Sequence, residues 1–286
     1  VTENAALNTE PEQADSAVGR GAVISAGTWV AGGIMVLAVT LLATLDYLGS
    51  TGVLPGLKDA TMAALTLVPL VVALIILPVA RSMGEGGTVR TSWTLFGLAM
   101  LSIGVGNVIF LSLFAVTGKD PYPSIAEVFT LGGYALFAAA FAISLRAYRD
   151  FLDIRRPMII AAAVSIAALV LVWFTVISPY VILAPAGTQT AAARFFNTLY
   201  LVLDAFVLLL PAIALGLLVS KLGKGRVAWG AWLVVAGAGT LAVTDTVFAY
   251  TGYIGAGRTP LVDSGYAVAP MLIALAAMVA RDVYRS

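Results

Sequence analysis

Asp204 and Asp245 stand inside long apolar runs of this sequence. An ionisable side chain at membrane depth is costly against lipid, so it turns to the interior of a helix bundle, where it pairs with a neighbour or lines a route for a ligand or ion. Helical spacing gathers polar company around both. Asn197, Tyr200 and Asp204 fall at i, i+3 and i+7, Glu127, Thr130 and Tyr134 repeat that spacing, and Asp263, Tyr266 and Pro270 repeat it again. Asn107 stands at the matching depth of its own run. Asp204, Asp245, Asn107, Tyr200, Glu127, Asp263 and Tyr134 are therefore the candidate ligand-binding residues, and the chemistry they offer is capture of a small ligand or cation, or of a proton shared between two dry carboxyls. A second role competes with the first. Glu127 and Asp263 open helices, where a carboxylate caps free amide groups, and intramembrane polar side chains also hold helices together.

Other chemistries lack their residues. The chain has no Cys and no His, which removes thiolate nucleophiles, Cys/His zinc sites, histidine-ligated haem and histidine acid–base schemes. Asp204 is followed by Ala205-Phe206, and Asp245 is preceded by Ala242-Val243-Thr244, so the Gly-x-Gly-Asp signature of aspartyl intramembrane proteases is missing. Lys58, Lys119, Lys221 and Lys224 fall in loops or at helix ends, where none can carry a retinal Schiff base. No catalytic residue, metal or cofactor is expected, and the reading is of a protein that is not an enzyme.

The elements that position these residues follow from composition. The chain is 60% hydrophobic and only 11% charged over 286 residues, which excludes a soluble domain and makes the lipid bilayer its solvent. A spanning helix needs about 20 mostly apolar residues. Eight stretches qualify, at 22–48, 60–80, 92–117, 125–145, 158–182, 196–220, 228–252 and 264–281. The fold expected is all-α and polytopic, with kinks at Pro69, Pro78 and Pro211. Residues 1–21 read as an acidic disordered tail without the features of a signal peptide, and residues 22–286 as the transmembrane domain.

An even span count puts both termini on one face. That face collects Arg20, Arg81, Arg90, Arg146, Arg149, Arg155, Arg156, Lys221, Lys224, Arg226, Arg281 and Arg285, against Lys58, Lys119, Arg194 and Arg258 opposite. The bias predicts cytoplasmic termini in an inner membrane, with the polar cluster in the outer half of the bundle. The net charge of +1 gives no field for nucleic acid, and no nucleic-acid partner is expected. Arg146, Arg149, Arg155 and Arg156 set topology and offer a surface to anionic lipid or a cytoplasmic partner. Trp93, Trp229 and Trp232 on one side and Tyr47, Tyr122 and Tyr253 on the other read as aromatic belts.

The sequence also reads as a duplication. Asn107-Val108-Ile109-Phe110 and Asp245-Thr246-Val247-Phe248 are 138 residues apart, and Glu127 and Asp263, each following a Pro, are 136 apart. Pro78 and Pro211 extend the correspondence. Four helices per unit gives a parallel 4+4 arrangement, with halves at about 22–150 and 151–286.

The hairpin from Gly118 through Pro121-Tyr122-Pro123 to Glu127-Val128-Phe129, followed by Gly133-Tyr134-Ala135-Leu136, resembles a motif of prokaryotic multi-pass sensory regions. Tyr200-Leu201-Val202-Leu203-Asp204 and the segment from Asp245 to Asp263 add to the likeness. Such regions often precede diguanylate cyclase, phosphodiesterase or histidine kinase domains. The resemblance implies a sensor or receptor-like module which, with the chain ending at Ser286, signals through a separate cytoplasmic or membrane partner. A small secondary transporter and a structural subunit of a membrane complex are the alternatives from the residues alone.

Overall fold

In hydrocarbon every backbone N–H and C=O must be satisfied within its own segment or by a packed neighbour, and the apolar runs of this chain meet that demand as helices. The structure, a computed structural model, describes residues 24–84, 87–119, 121–149, 152–183, 189–222, 226–254 and 259–285. The acidic tail expected at 1–21, with Lys224, Gly255, Gly257 and Arg258, lies outside the described residues. Among those described there is no β-strand, and eight helices are long and apolar enough to cross a membrane. They are α1 (Ala26–Ser50), α2 (Lys58–Arg81), α3 (Thr88–Thr117), α4 (Ala126–Arg149), α5 (Arg155–Ile182), α6 (Ala191–Val219), α7 (Arg226–Tyr253) and α8 (Pro260–Arg285). Most run past the limits that hydropathy sets. The extra turns carry Arg149, Arg155 and Arg285, whose long stems let an apolar helix continue while the charge reaches water.

Proline and wide turns interrupt three of the helices. α2 pauses at Leu67, between Lys58–Thr66 and Val68–Arg81, where Pro69 cannot donate a backbone hydrogen bond. α6 widens into a π-helical stretch at Asp204–Leu209, just before Pro211, and α5 does so at Trp173–Ile182, around Pro179.

In the packing, α3 lies along α4 and α2 along α3, while α7 lies along α8 and α6 along α7. The first four helices meet the last four where α4 crosses α6 and where α1 and α2 lie against α8. α1 and α5 are the least enclosed, and α6 and α8 the most. Close approach depends on missing side chains: a Cβ on Gly104 of α3 would stand 2.9 Å from the Leu70 backbone of α2. Toward the terminal face the core closes around Phe96, Met100, Phe137 and Phe141, each no more than 2% exposed, with the Phe96 and Phe141 rings edge to face at 5.0 Å. Trp93 belongs to this core and not to a belt. It is buried with its ring 5.2 Å from Phe96, whereas Trp229 and Trp232 remain exposed.

First and last helices are clipped together at the terminal face. Asp282 Oδ2 accepts from the Ser25 N–H at 2.9 Å, the Ser25 hydroxyl at 2.8 Å and the Thr28 hydroxyl at 2.6 Å, while Arg281 holds the other carboxyl oxygen at 2.9 Å.

Candidate functional site

The break in α2 creates the first polar feature. The Leu70 N–H turns to Leu67 O at 3.0 Å and leaves Thr66 O outside the regular ladder. Asn107 of α3 fills that vacancy, its Nδ2 donating to Thr66 O at 2.6 Å. Part of the reason for a polar residue at 107 is therefore repair of the neighbouring helix.

The second feature is a network of phenols and carboxyls. Tyr134, about two turns beyond the start of α4, donates to Asp204 Oδ1 of α6 at 2.6 Å and lies 3.3 Å from Asp245 Oδ2 of α7. Asp245 also accepts from Tyr266 of α8, and Glu127 of α4 accepts from Tyr200 of α6. Tyr122, in the hairpin before α4, donates to Asn197 Oδ1 of α6 at 2.7 Å. The rings of Tyr134 and Tyr200 stack at 5.8 Å. Asp204 opens the π-helical stretch, a distortion that often accompanies functional positions in helices. Its second oxygen, Oδ2, is buried and has no hydrogen-bond partner among the described residues.

These groups surround a cavity of about 170 Å³ between the first four and the last four helices. Asn107, Glu127, Tyr134, Asn197, Tyr200, Asp245 and Tyr266 supply most of its polar lining, with Tyr122 and Thr130, and Phe110, Phe248, Met100 and Ile273 contribute apolar wall. By residue count from the helix ends, the polar groups all sit in the half of the bundle facing away from the termini.

Of the residues singled out by spacing, Asn107, Glu127, Tyr134, Tyr200 and Asp245 line the cavity. Asp204 stands behind Tyr134 and reaches the site through its phenol. Asp263 is buried in the first turn of α8 and is not part of the lining. Three residues join the site beyond that set. Asn197 and Tyr266 lie on the polar stripes, but their partners on other helices are not encoded in the spacing. Tyr122, read as a belt residue, is folded inward by the hairpin. Asp46 of α1 is a buried carboxylate that spacing does not single out, with the Thr61 hydroxyl on Oδ1 at 3.1 Å.

A second cavity of about 90 Å³ lies toward the terminal face, lined by Ser92, Trp93, Phe96, Ser144, Tyr148 and Tyr284 among others. Met100 lines the larger cavity and Phe96, one turn away on α3, the smaller.

No protein-family model, curated protein or solved structure matches this chain.

Proposed function

We propose that the chain is a non-enzymatic membrane sensor or receptor-like module, with a ligand site in the larger cavity that opens away from the termini. One observation carries the reading. Four of the side-chain hydrogen bonds around the cavity cross from the first four helices to the last four: Tyr134 to Asp204 and Asp245, Tyr200 to Glu127, and Tyr122 to Asn197. A ligand that enters competes for these groups, so its binding energy is spent on the contact between the two halves. The change is passed to the basic loops of the terminal face, where a separate signalling partner reads it. In this reading the termini are cytoplasmic, the membrane is the inner membrane of a prokaryote, and the resemblance to sensory regions is one of shared function.

The two halves are the copies of a duplicated four-helix unit. Packing supports this at the offsets taken from the sequence. Ser92 donates to Ala140 O at 2.7 Å, and the residues 138 and 136 positions on, Gly230 and Ala276, meet at the corresponding crossing, where a Cβ on Gly230 would lie 3.5 Å from Ala276 O. Ala99 and Gly133 correspond in the same way to Gly237 and Ala269; the added Cβ would stand 3.1 Å from Ala99 O in one pair and 3.0 Å from Ala269 O in the other.

The smaller cavity favours a second reading, a carrier that exposes its site to each face in turn. Sided labelling separates the two, and the absence of native Cys gives a clean background. Thr130→Cys, on the cavity wall, is labelled with a membrane-impermeant maleimide in vesicles of both orientations. A sensor site reacts only from the face opposite the termini. Reaction from both faces assigns a carrier, and reaction from neither removes the accessible site.

A further inference from the structure

Resting on the reading of the larger cavity as a ligand site, we propose that its ligand is a small organic cation, an ammonium group carrying an apolar body about the size of one ring. Few hydrogen-bond donors remain on the cavity wall. A phenol has one proton to give, and those of Tyr122, Tyr134, Tyr200 and Tyr266 are already given to Asn197, Asp204 or Asp245, Glu127 and Asp245 respectively. One N–H of the Asn107 amide is committed to Thr66 O, so the donors left to the wall are its other N–H and the amide N–H groups of Asn197, whose oxygen accepts from Tyr122. Beyond these two amides the wall offers acceptor capacity, chiefly the carboxyl of Asp245, backed by an Asp204 oxygen with no hydrogen-bond partner among the described residues. Among the described lining residues there is no Lys or Arg. An anionic ligand would find no counter-charge on this wall, and a neutral acceptor would find few free donors.

Much of the wall is aromatic. Phe248 stands edge-on to Tyr122 at 5.9 Å and to Tyr266 at 6.3 Å, and the Tyr134 and Tyr200 rings stack beside them. Ring faces next to carboxylates attract ammonium groups through the ring quadrupole, most strongly where water is excluded. A metal ion is the rival cation. Calcium-like ions require six to eight oxygen ligands, and among the described residues no group of three acidic side chains is placed to hold a metal. The walls here are largely carbon, which suits the apolar body of an organic cation. The size fits as well, since a cavity of about 150 Å³ accepts a benzene ring and this one measures about 170 Å³.

The test uses the detergent-purified full chain and three probes of one shape: benzylammonium, benzyl alcohol and benzoate. Melting temperature is followed against probe concentration, because a ligand that binds only the folded state raises it by mass action. The expected result is a saturable rise with benzylammonium, none with benzoate, and an apparent affinity for benzyl alcohol at least about tenfold weaker. Asp245→Asn should abolish the benzylammonium response. Should that variant fail to fold, Phe248→Leu keeps the carboxyls and is expected to weaken benzylammonium severalfold. Equal affinity for benzyl alcohol and benzylammonium overturns the cationic ligand and leaves the cavity as a binding site. A flat response to all three also overturns it, while the labelling of Thr130→Cys decides separately whether the site is accessible.

Discussion

Tyr134 and Asp204 are joined by a 2.6 Å hydrogen bond between α4 and α6, both side chains at most 4% exposed, at the point where the first four helices meet the last four. Apolar packing alone does not distinguish one rotation of a helix from another in lipid, because the tails outside are as apolar as the neighbours inside. A buried phenol on a buried carboxyl does. It fixes the facing sides of α4 and α6 and, through the second contact to Asp245, the facing side of α7.

Tyr134→Phe keeps the ring and removes the bridging hydroxyl. Two enclosed carboxyls then lose a donor, at an expected cost of about 1–3 kcal/mol. The variant should melt below wild type. In a double-mutant cycle with Asp204→Asn the two losses should fall short of additive, and strict additivity would mean that the pair is not coupled.

Asn107→Leu should destabilise by a comparable margin of about 1–3 kcal/mol, because Thr66 O loses the amide that completes the break in α2. Asn107→Gln keeps an amide but moves it a bond further, and is expected to recover only part of the loss. Melting curves of both variants in one detergent decide this. A neutral Asn107→Leu would show that the carbonyl needs no partner.

Two glycines give a controlled pair. A Cβ on Gly104 meets the Leu70 backbone at 2.9 Å, which cannot yield as a side-chain tip can, while a Cβ on Gly239 has nothing within 4 Å. Gly104→Ala should cost about 1–3 kcal/mol. Gly239→Ala should be neutral or slightly stabilising, as alanine is the better helix former.

Asp282→Ala removes the acceptor that ties Ser25 and Thr28 of α1 to the end of α8. Amide hydrogen exchange should quicken at Ser25 and through the first turn of α1. Exchange at the cavity should not change, since the clip lies at the other end of the bundle.

The division between what the sequence makes legible and what it does not follows from the physics of each feature. Span number is legible because eight apolar runs have no alternative to helix in lipid. Span ends are less so, because Arg149 and Arg285 can ride on helices that outrun the hydrocarbon. The depth and type of Asp245, Tyr134 and Tyr200 mark them as candidates, but which phenol serves which carboxyl depends on helix rotation, to which spacing along one helix is blind. Tyr122 shows the limit: its position at a span boundary fits a belt, and only the fold of the hairpin turns it toward Asn197. Asp282 and Asp46 lie near helix ends, where carboxylates are common, so nothing in their spacing separates a buried clip from a solvated charge. Trp93 departs from the belt expected for it for the same reason, since a Trp near a helix end can face lipid or core.

As proposed above, occupancy of the cavity alters the contact between the halves as far as the terminal face. Thr130→Cys can be given a fixed occupant by 2-aminoethyl methanethiosulfonate, which forms a mixed disulfide with the thiolate and releases methanesulfinate, leaving an ammonium group in the cavity. Hydrogen exchange is then compared between modified and unmodified protein. Altered exchange is expected around the cavity and also at the terminal-face ends of α4 and α6, near Arg146 and Val219. A change confined to the residues lining the cavity, with those ends untouched, would contradict it.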